Sequence, residues 1–411
     1  MERKTELNDA LGKTHNADVK TMKITRREKL HNEENVSPTI LVSLSPSDLK
    51  PVYEPGDHMG VCPRNGEDDI NCMLEHFKNP PPKNQPLALE AKSDLKAPWL
   101  QVDTYPKGLT FLDLLYYFVD IRPVPSQALL KILSENAQDN KEKVKLHKLG
   151  TKFDAYSSWK QEHDAGIVET LKMFPSVKVC SATIISNLPT IKPRRYSIAS
   201  TREWEGSDVG LVVGVVDYTH KSGKRRFGLA TGNLNNSCIG SLMPGFLRSE
   251  KNFRLPEDPK KDVMLIAAGS GISPFRGFWM KRGEQLQAGK EPGKTIIYFG
   301  CRNKNMNLLK EETDRLAQSG LKIERHVAYS QEPNIKKEYV QDKVWDDYMM
   351  VYKMIKDEGA IYVCGKVKMA QAVQDVLKKI LEKFLRIDGE DAHKMIMKMK
   401  KDGRYQEDIF G

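Results

Sequence analysis

The chain has 411 residues, and 65 Lys and Arg against 55 Asp and Glu give a net charge of +10 at pH 7. Its 39% hydrophobic and 29% charged content is ordinary for a globular protein and excludes a disordered one. No apolar run approaches the ~18 residues of a transmembrane helix, and the polar start excludes a secretory signal. These features predict a soluble, intracellular chain of two or three domains.

The positive charge does not predict nucleic-acid binding. Residues 257–411 carry 29 basic and 24 acidic side chains, a net +5, so the rest of the chain carries the other +5. Without a basic tail, we expect a solvated surface with discrete basic pockets for phosphates. The six cysteines stand singly with no zinc spacing, so we expect no metal site, and they suit a reducing cytoplasm.

The first part of the chain predicts strands on both sides of a helical block. Residues 1–35 are polar without periodicity, which favours an arm or linker. Strands are predicted at Thr39–Leu44 and Met59–Cys62, and residues 65–175 have mostly helical spacing. Further strands are predicted at Ile184–Ser186, Arg195–Ser200 and Leu211–Tyr218. This order predicts an antiparallel β-barrel, residues 36–64 and 176–256, split by a helical insertion at 65–175.

The later part of the chain has a different pattern. A hairpin turn is predicted at His220–Lys224, and a Pro-bearing linker follows at Leu255–Asp262. Residues 257–411 then alternate strand and helix, which predicts a parallel, doubly wound α/β domain. The predicted strands are Val263–Ala268, Thr295–Phe299, Lys322–Ala328 and Ala360–Cys364.

Two segments of the α/β region suit a nucleotide. Gly269–Pro274 follows an apolar strand and precedes a helix, where glycines let backbone amides approach a pyrophosphate. A purely structural turn is the alternative, and Pro274 departs from the usual dinucleotide fingerprint. Ser330–Tyr339 offers a hydroxyl, lysines and an aromatic ring at a strand end, as an adenosine phosphate requires. An ordinary polar loop is the alternative there.

Three further segments carry chemistry. Pro193–Ile198 offers an arginine for a pyrophosphate, an aromatic ring for stacking and a hydroxyl for a ring nitrogen. Ile361–Gly365 ends a buried strand with a thiol, and Gly403–Phe410 carries a carboxylate and an aromatic ring. The alternative for Pro193–Ile198 is an ordinary exposed strand. For the cysteine of Ile361–Gly365 it is a small buried hydrophobic residue, and for Gly403–Phe410 it is a frayed terminus.

Taken in order, these segments resemble the ferredoxin–NADP reductase-like diflavin reductases, from about residue 20 onward. Gly228–Thr231 and Phe299–Arg302 belong to the same set. Tyr53–His58, Ser330–Pro333 and Gly403–Gly411 are more similar to the nitric oxide synthases of that family than to its cytochrome P450 reductases.

The resemblance implies roles for three sets of residues. The first contacts FAD and consists of His58, Arg194, Tyr196, Ser197, Gly228, Leu229, Ala230 and Thr231. The second contacts NADPH and consists of Gly269, Ser270, Gly271, Arg302, Ser330, Gln331, Lys337, Tyr339 and Gln341. The third is catalytic and consists of Ser197, Cys364, Asp408 and Phe410, with Phe410 covering the flavin ring.

Some residues depart from the family pattern. Gln331 stands where an arginine usually holds the NADPH 2′-phosphate, which predicts weaker selectivity for NADPH over NADH. Lys366 replaces the usual Asp after Cys-Gly, and Arg195 replaces a second Tyr. These departures keep open a degenerate, non-catalytic flavin-binding protein.

The implied activity is hydride transfer from NADPH to FAD, then electron transfer to FMN and to a haem acceptor in nitric oxide synthesis. We find no FMN domain, calmodulin-binding helix or haem domain, and therefore expect a fragment holding only the FAD/NADPH module. Its expected partner is a flavodoxin-like FMN domain, in the same full-length protein or a separate chain. A stand-alone or cytochrome P450 reductase-type reductase is the alternative, and the oligomeric state stays open.

Overall fold

The computed structural model describes residues 2–34, 36–46, 52–87, 108–221 and 223–410. Before residue 257 the described strands are β1 (Lys20–Lys29), β2 (Thr39–Pro46), β3 (His58–Val61), β4 (Phe77–Lys78), β5 (Val179–Cys180), β6 (Arg194–Ser197), β7 (Val209–Gly214), β8 (Asp217–Thr219), β9 (Arg225–Phe227) and β10 (Leu242–Arg248). The described helices of this part are α1 (Glu2–His15), α2 (Glu67–Glu75), α3 (Phe111–Tyr117), α4 (Gln127–Glu135), α5 (Asn140–Thr151), α6 (Phe153–His163), α7 (Ile167–Met173), α8 (Ser181–Asn187), α9 (Arg202–Glu205) and α10 (Leu229–Asn236).

Six of these strands form one antiparallel sheet in the order β6-β3-β10-β1-β2-β7. Its two outer strands also approach each other, because Ile198 bridges Leu211 and the Ala199 N–H donates to Gly210 O at 2.7 Å. Apolar side chains from β1, β2 and β7 pack into one core. The predicted hairpin is confirmed by the antiparallel pair β8 and β9.

Two predictions for this part were wrong. Residues 1–35 are not an arm, because β1 lies between β10 and β2 with Met22 and Ile24 buried. Charged residues on the other face of β1 hide this alternation in the sequence. The strand predicted at Ile184–Ser186 is instead part of α8, where Ile184 and Ile185 pack into a helical core. Tertiary packing there overrides the β-propensity of isoleucine.

Helices α2 to α7 lie in the chain between β3 and β6 and share a separate hydrophobic core. In α4, Leu129, Leu130 and Leu133 are buried at the predicted helical spacing. Local signals also set the helix starts, since Thr110 forms a capping box with Asp113 and Ser126 caps α4. The helices predicted after residue 65 are therefore present within the described ranges.

After residue 257 the described strands are β11 (Val263–Ala268), β12 (Thr295–Cys301), β13 (Ile323–Tyr329), β14 (Ala360–Lys366) and β15 (Tyr405–Phe410). The described helices are α11 (Ser273–Gln287), α12 (Lys310–Gln318), α13 (Val340–Asp346), α14 (Tyr348–Lys356), α15 (Val367–Leu385) and α16 (Gly389–Lys401). Short 3-10 turns lie at Gly269–Ile272 and Lys304–Met306.

The five later strands form a parallel sheet in the order β13-β12-β11-β14-β15. Val263 and Leu265 of β11 face the core under α11, whereas Met264 and Ile266 face the core under α13 to α16. Helices on both faces confirm the predicted doubly wound α/β domain. The frayed-terminus alternative is wrong, because β15 adds a fifth strand to the sheet.

The parallel arrangement brings the carboxyl ends of all five strands to one edge of the sheet, where ligands of such folds bind. The Gly269–Ile272 turn follows β11 at this edge. Within the described ranges, every helix is too short or too polar to cross a bilayer.

Candidate active site

Three polar side chains from the two sheets meet around the carboxylate of Asp408. Ser197 Oγ donates to Asp408 Oδ2 at 2.5 Å, and Cys364 Sγ donates to the same oxygen at 3.9 Å. His58 Nε2 lies 3.1 Å from Oδ1, so it carries the proton and donates. The side chains of His58 and Asp408 are only 12% and 14% exposed. We call these four residues the Asp408 cluster.

Strand register explains how distant sequence segments form the Asp408 cluster. His58 of β3 and Ser197 of β6 are direct partners in the antiparallel sheet. Cys364 of β14 and Asp408 of β15 are direct partners in the parallel sheet. Because directly paired side chains lie on the same face, each sheet contributes two neighbouring groups.

The surroundings keep Asp408 ionised and Cys364 protonated. Burial by itself would raise the pKa of the Asp408 carboxyl, but hydrogen bonds from His58, Ser197 and Cys364 outweigh it and hold the pKa below its ordinary value. Burial, and then the charge of Asp408, raise the pKa of the Cys364 thiol well above its ordinary value. At neutral pH one carboxylate therefore has three proton-bearing neighbours.

The glycine-rich turn lies directly against this cluster. A Cβ atom on Gly271 would lie 2.3 Å from the backbone oxygen of Cys364, so only glycine allows this approach. Gly269 has φ +56°, in the left-handed region that favours glycine, and a Cβ there would meet open space. Gly269 is exposed at the start of this turn, which leads into α11, and the start of a helix favours an anion such as a pyrophosphate.

The other residues predicted for NADPH gather at the carboxyl ends of β12 and β13. The Gln331 N–H donates to Arg302 O at 2.7 Å, and Ser330 Oγ donates to Cys301 O at 3.3 Å. Lys337 Nζ lies 5.1 Å from the centre of the Tyr339 ring, which is well exposed. These residues, with Gln341 in the first turn of α13, lie at the same sheet edge as the glycine-rich turn.

The remaining residues predicted for FAD lie on neighbouring elements. Arg194 is exposed at the start of β6, and burial raises the pKa of Tyr196 to about 12, which keeps its hydroxyl protonated. Gly228 precedes α10, in which Leu229, Ala230 and Thr231 form the first turn. Thr231 Oγ1 accepts a hydrogen bond from the Val216 N–H at 3.2 Å.

Among the described residues, Arg194 and the Gly228–Thr231 segment make no hydrogen bond to the Asp408 cluster. Phe410 ends β15 two residues after Asp408 and is 40% exposed.

Two residues at the site were missed in the sequence. Ser273 Oγ donates to Ser197 O at 2.7 Å, although its segment was interpreted only through its glycines. Asp57, beside His58, forms an ion pair with Arg254, whose backbone N–H donates to Gln406 Oε1. No local pattern indicates these long-range contacts.

Buried and open atoms of the site fit the two cofactors. His58 Nδ1 is buried and has no hydrogen-bond partner within the described residues. A buried polar atom requires a partner, and a polar atom of the flavin ring or of the ribityl chain would supply one. The open turn at Gly269 suits a pyrophosphate, so the residues present fit both FAD and NADPH. Among the described residues, no group of three His, Cys, Asp or Glu side chains could hold a metal ion.

Comparisons with known proteins agree with this geometry. Residues 12–232 match the FAD binding domain family, and residues 265–375 match the oxidoreductase NAD-binding domain family. The chain is 35% identical to inducible nitric oxide synthase of Gallus gallus and 34% identical to those of Sus scrofa and Homo sapiens. Each alignment covers 99% of this chain but 36% of the relative, so the chain spans about a third of these proteins.

The FAD binding domain family matches more than half of the chain. The NAD-binding domain family follows it in the chain, as the parallel α/β sheet follows the antiparallel sheet. The resemblance inferred from the motifs is thereby confirmed. The chain belongs to the FAD-binding reductases of the ferredoxin–NADP reductase-like diflavin family, as a flavoprotein oxidoreductase module for FAD and NADPH.

Proposed function

We propose that this chain accepts hydride from NADPH on FAD and passes electrons to an FMN-binding domain, as the reductase module of a nitric oxide synthase-type enzyme. The Asp408 cluster carries this proposal, because it joins residues from the FAD-binding part and the NAD-binding part around one buried carboxylate. A reaction between two cofactors requires such a meeting point, since donor and acceptor must lie about 3–3.5 Å apart.

FAD, when bound, supplies the redox chemistry by accepting two electrons as a hydride and releasing them singly. Ser197, Cys364 and His58 each bear a proton toward Asp408, so the cluster can hold or move a proton beside the reacting ring. The low exposure of His58 and Asp408 limits their contact with water, which strengthens these polar contacts. Tyr196 would offer an aromatic face for stacking on the flavin ring, and Phe410 would cover that ring.

Two groups of residues hold the cofactor phosphates in this proposal. For FAD they are Arg194 and the Gly228–Thr231 segment at the start of α10. For NADPH, the Gly269–Gly271 turn receives the pyrophosphate. Around the adenosine and its phosphate lie Arg302, Ser330, Gln331, Lys337, Tyr339 and Gln341.

The domain organisation completes the proposal. The meeting of β6 and β7 at Ile198 and Leu211 supports a barrel, with its two pieces at 36–64 and 176–256 and β1 added from the preceding segment. Helices within 65–175 form the insertion, and residues 257–411 form the nucleotide domain. We also propose a cytoplasmic location, because all six cysteines are free.

The acceptor assignment follows the relatives. The relatives are inducible nitric oxide synthases, and this chain spans 36% of their length. We propose that a flavodoxin-like FMN domain receives the electrons, within the same protein or on a separate chain, and that a haem acceptor for nitric oxide synthesis lies beyond it.

The FAD half of the proposal is tested by ferricyanide reduction, which needs no FMN domain. Purified chain loaded with FAD should reduce ferricyanide with NADPH, and Asp408→Asn should lower kcat by about 10²-fold, as loss of a positioned proton-transfer group does. The matched control is Asp402→Asn on the exposed turn before β15, which should keep the wild-type rate. A chain that binds FAD but gives no turnover would support the non-catalytic alternative.

The acceptor half is tested separately with cytochrome c. The chain alone should reduce cytochrome c slowly, and addition of the FMN domain of a nitric oxide synthase should accelerate the reaction. An FMN domain from a cytochrome P450 reductase is the comparison. Equal or greater stimulation by that domain would contradict the nitric oxide synthase-type assignment while leaving hydride transfer to FAD intact.

A further inference from the structure

A buried serine hydroxyl connects the nucleotide-binding turn to the flavin strand. Ser273 is the first residue of α11 and is only 4% exposed. Its Oγ donates to the backbone oxygen of Ser197 at 2.7 Å and accepts from the Val212 N–H at 3.2 Å. A single side chain of the NAD-binding part therefore bonds to both β6 and β7 of the FAD-binding part.

This hydroxyl lies at the point where the two parts contribute their reacting groups. Gly271, two residues earlier, contacts the backbone of Cys364. The same short segment thus contacts Cys364 on one side through Gly271 and Ser197 on the other side through Ser273. Both contacted residues donate to the carboxylate of Asp408.

We propose that Ser273 is a positioning residue for hydride transfer, whose hydroxyl sets the distance between the nucleotide-binding turn and Ser197. This inference rests on the proposed function. One hydrogen bond, from Ser273 Oγ to Ser197 O, connects the turn that would hold a pyrophosphate to the strand that would lie beside the flavin. The Ser273 bond to Ser197 O therefore determines how closely hydride donor and acceptor approach. A misplacement of about 1 Å can slow such a reaction by about 10²-fold.

The alternative is that Ser273 only stabilises the fold. Its removal would leave the Ser197 carbonyl and the Val212 amide without this partner, which lowers stability whatever the role in catalysis. Stability alone therefore does not distinguish the two roles. The distinguishing quantity is the hydride-transfer rate of folded, FAD-loaded protein at saturating NADPH.

The experiment is anaerobic single-turnover reduction by NADPH and by NADPH deuterated at the transferred position. It compares wild type, Ser273→Ala and Ser273→Cys, with Ser134→Ala as control. Ser134 is also buried, but among the described residues its hydroxyl bonds only to Lys131 O within its own helical region. We expect Ser273→Ala to slow the saturated rate by about tenfold or more and to enlarge the isotope effect. The dissociation constant of NADP⁺ should be unchanged.

Ser273→Cys provides a second variant in case Ser273→Ala does not fold. Its thiol fills the same place but forms weaker hydrogen bonds, so we expect an intermediate rate. Wild-type rates in these variants, or a slowing that disappears at saturating NADPH, would overturn the proposal for Ser273 alone. A wild-type, FAD-loaded chain that NADPH does not reduce would instead contradict the proposed function and the role of Ser273 with it.

Discussion

At the scale of single residues, the site depends on how Asp408 is solvated. Its carboxylate has little exposure to water and instead accepts hydrogen bonds from Ser197, His58 and Cys364. The motifs predicted each of these residues singly, because each has a characteristic neighbour in the sequence. They could not predict that His58 contacts Asp408, because these residues are 350 positions apart and their contact depends on how the two sheets meet.

The depressed pKa of Asp408 makes its contribution to stability depend on pH. The folded state binds the proton less readily than the unfolded chain, so the contribution is full above the ordinary carboxyl pKa of about 3.9. It is lost as the pH falls through the lower folded value. Asp408→Asn should therefore reduce the unfolding free energy by about 1–3 kcal/mol at pH 7 and by less in acid.

Denaturant unfolding at pH 7 and near pH 3 measures this difference, with Asp402→Asn as the exposed control. An effect of Asp408→Asn that is equally large at both pH values would contradict the assigned direction of the pKa shift.

Gln331 is the residue at which nucleotide selectivity can be tested. Its backbone N–H donates to Arg302 O at the sheet edge. An arginine side chain at position 331 would therefore present a planar guanidinium there, and two of its N–H groups can bond to one phosphate. Gln331→Arg should raise the ratio of kcat/KM for NADPH over NADH by about tenfold. The control is Gln318→Arg, which adds the same charge at the end of α12, before the amino end of β13 and thus at the opposite edge of the sheet from Gln331. An equal change of the ratio in both variants would exclude a local phosphate contact.

At the scale of secondary-structure elements, predictions succeeded where buried strands are continuous apolar runs. The strands β11, β12 and β14 are such runs and lie where the sequence predicts them. The strand β13 is also predicted correctly, although its side chains are mostly half-buried and include Glu324, Arg325 and His326. By contrast β1 alternates two buried residues with many charges, and β15 becomes a strand only by pairing with β14. Such strands depend on their neighbours, so local composition does not reveal them.

The glycine-rich turn permits a direct test at this scale. Gly271→Ala places a methyl group 2.3 Å from the Cys364 backbone oxygen, which a rigid strand cannot avoid by rotating a side chain. We expect a loss of about 1–3 kcal/mol in unfolding free energy, as for overpacking of a core, and weaker binding of NADP⁺. Thermal unfolding and equilibrium dialysis measure the two effects.

Gly66→Ala is the matched control, because within 4 Å its added methyl group would meet, of the described residues, only Asp69, at 3.7 Å. If Gly271→Ala bound NADP⁺ as tightly as Gly66→Ala, the turn would not be the pyrophosphate site.

At the scale of the whole molecule, buried ion pairs hold the two parts together. Arg276 of α11 is 4% exposed and contacts Glu205 of α9 and Glu312 of α12, both at 2.9 Å. Arg254, in the segment that joins the two parts, contacts Asp57 and Gln406, which precede His58 and Asp408 in the chain. The Asp408 cluster thus depends on contacts that no single domain contains.

Removal of Arg276 should weaken this junction strongly. Arg276→Met leaves two nearly buried carboxylates without their cation, and we expect a loss of about 3–5 kcal/mol. Adding Glu205→Gln and Glu312→Gln should recover part of that loss, since neutral amides need no cation. Calorimetry of the single and triple variants measures both values. A single variant as stable as wild type would show that the pairs do not hold the two parts together.

The central claim is that one chain brings NADPH and FAD together around Asp408, and anaerobic mixing of the FAD-loaded chain with NADPH tests it most directly. We predict that the oxidised flavin absorbance near 450 nm disappears with one equivalent of NADPH. Asp408→Asn should slow this loss, whereas Asp402→Asn should not. A chain that retains its bound FAD but keeps its full absorbance with excess NADPH would contradict the account.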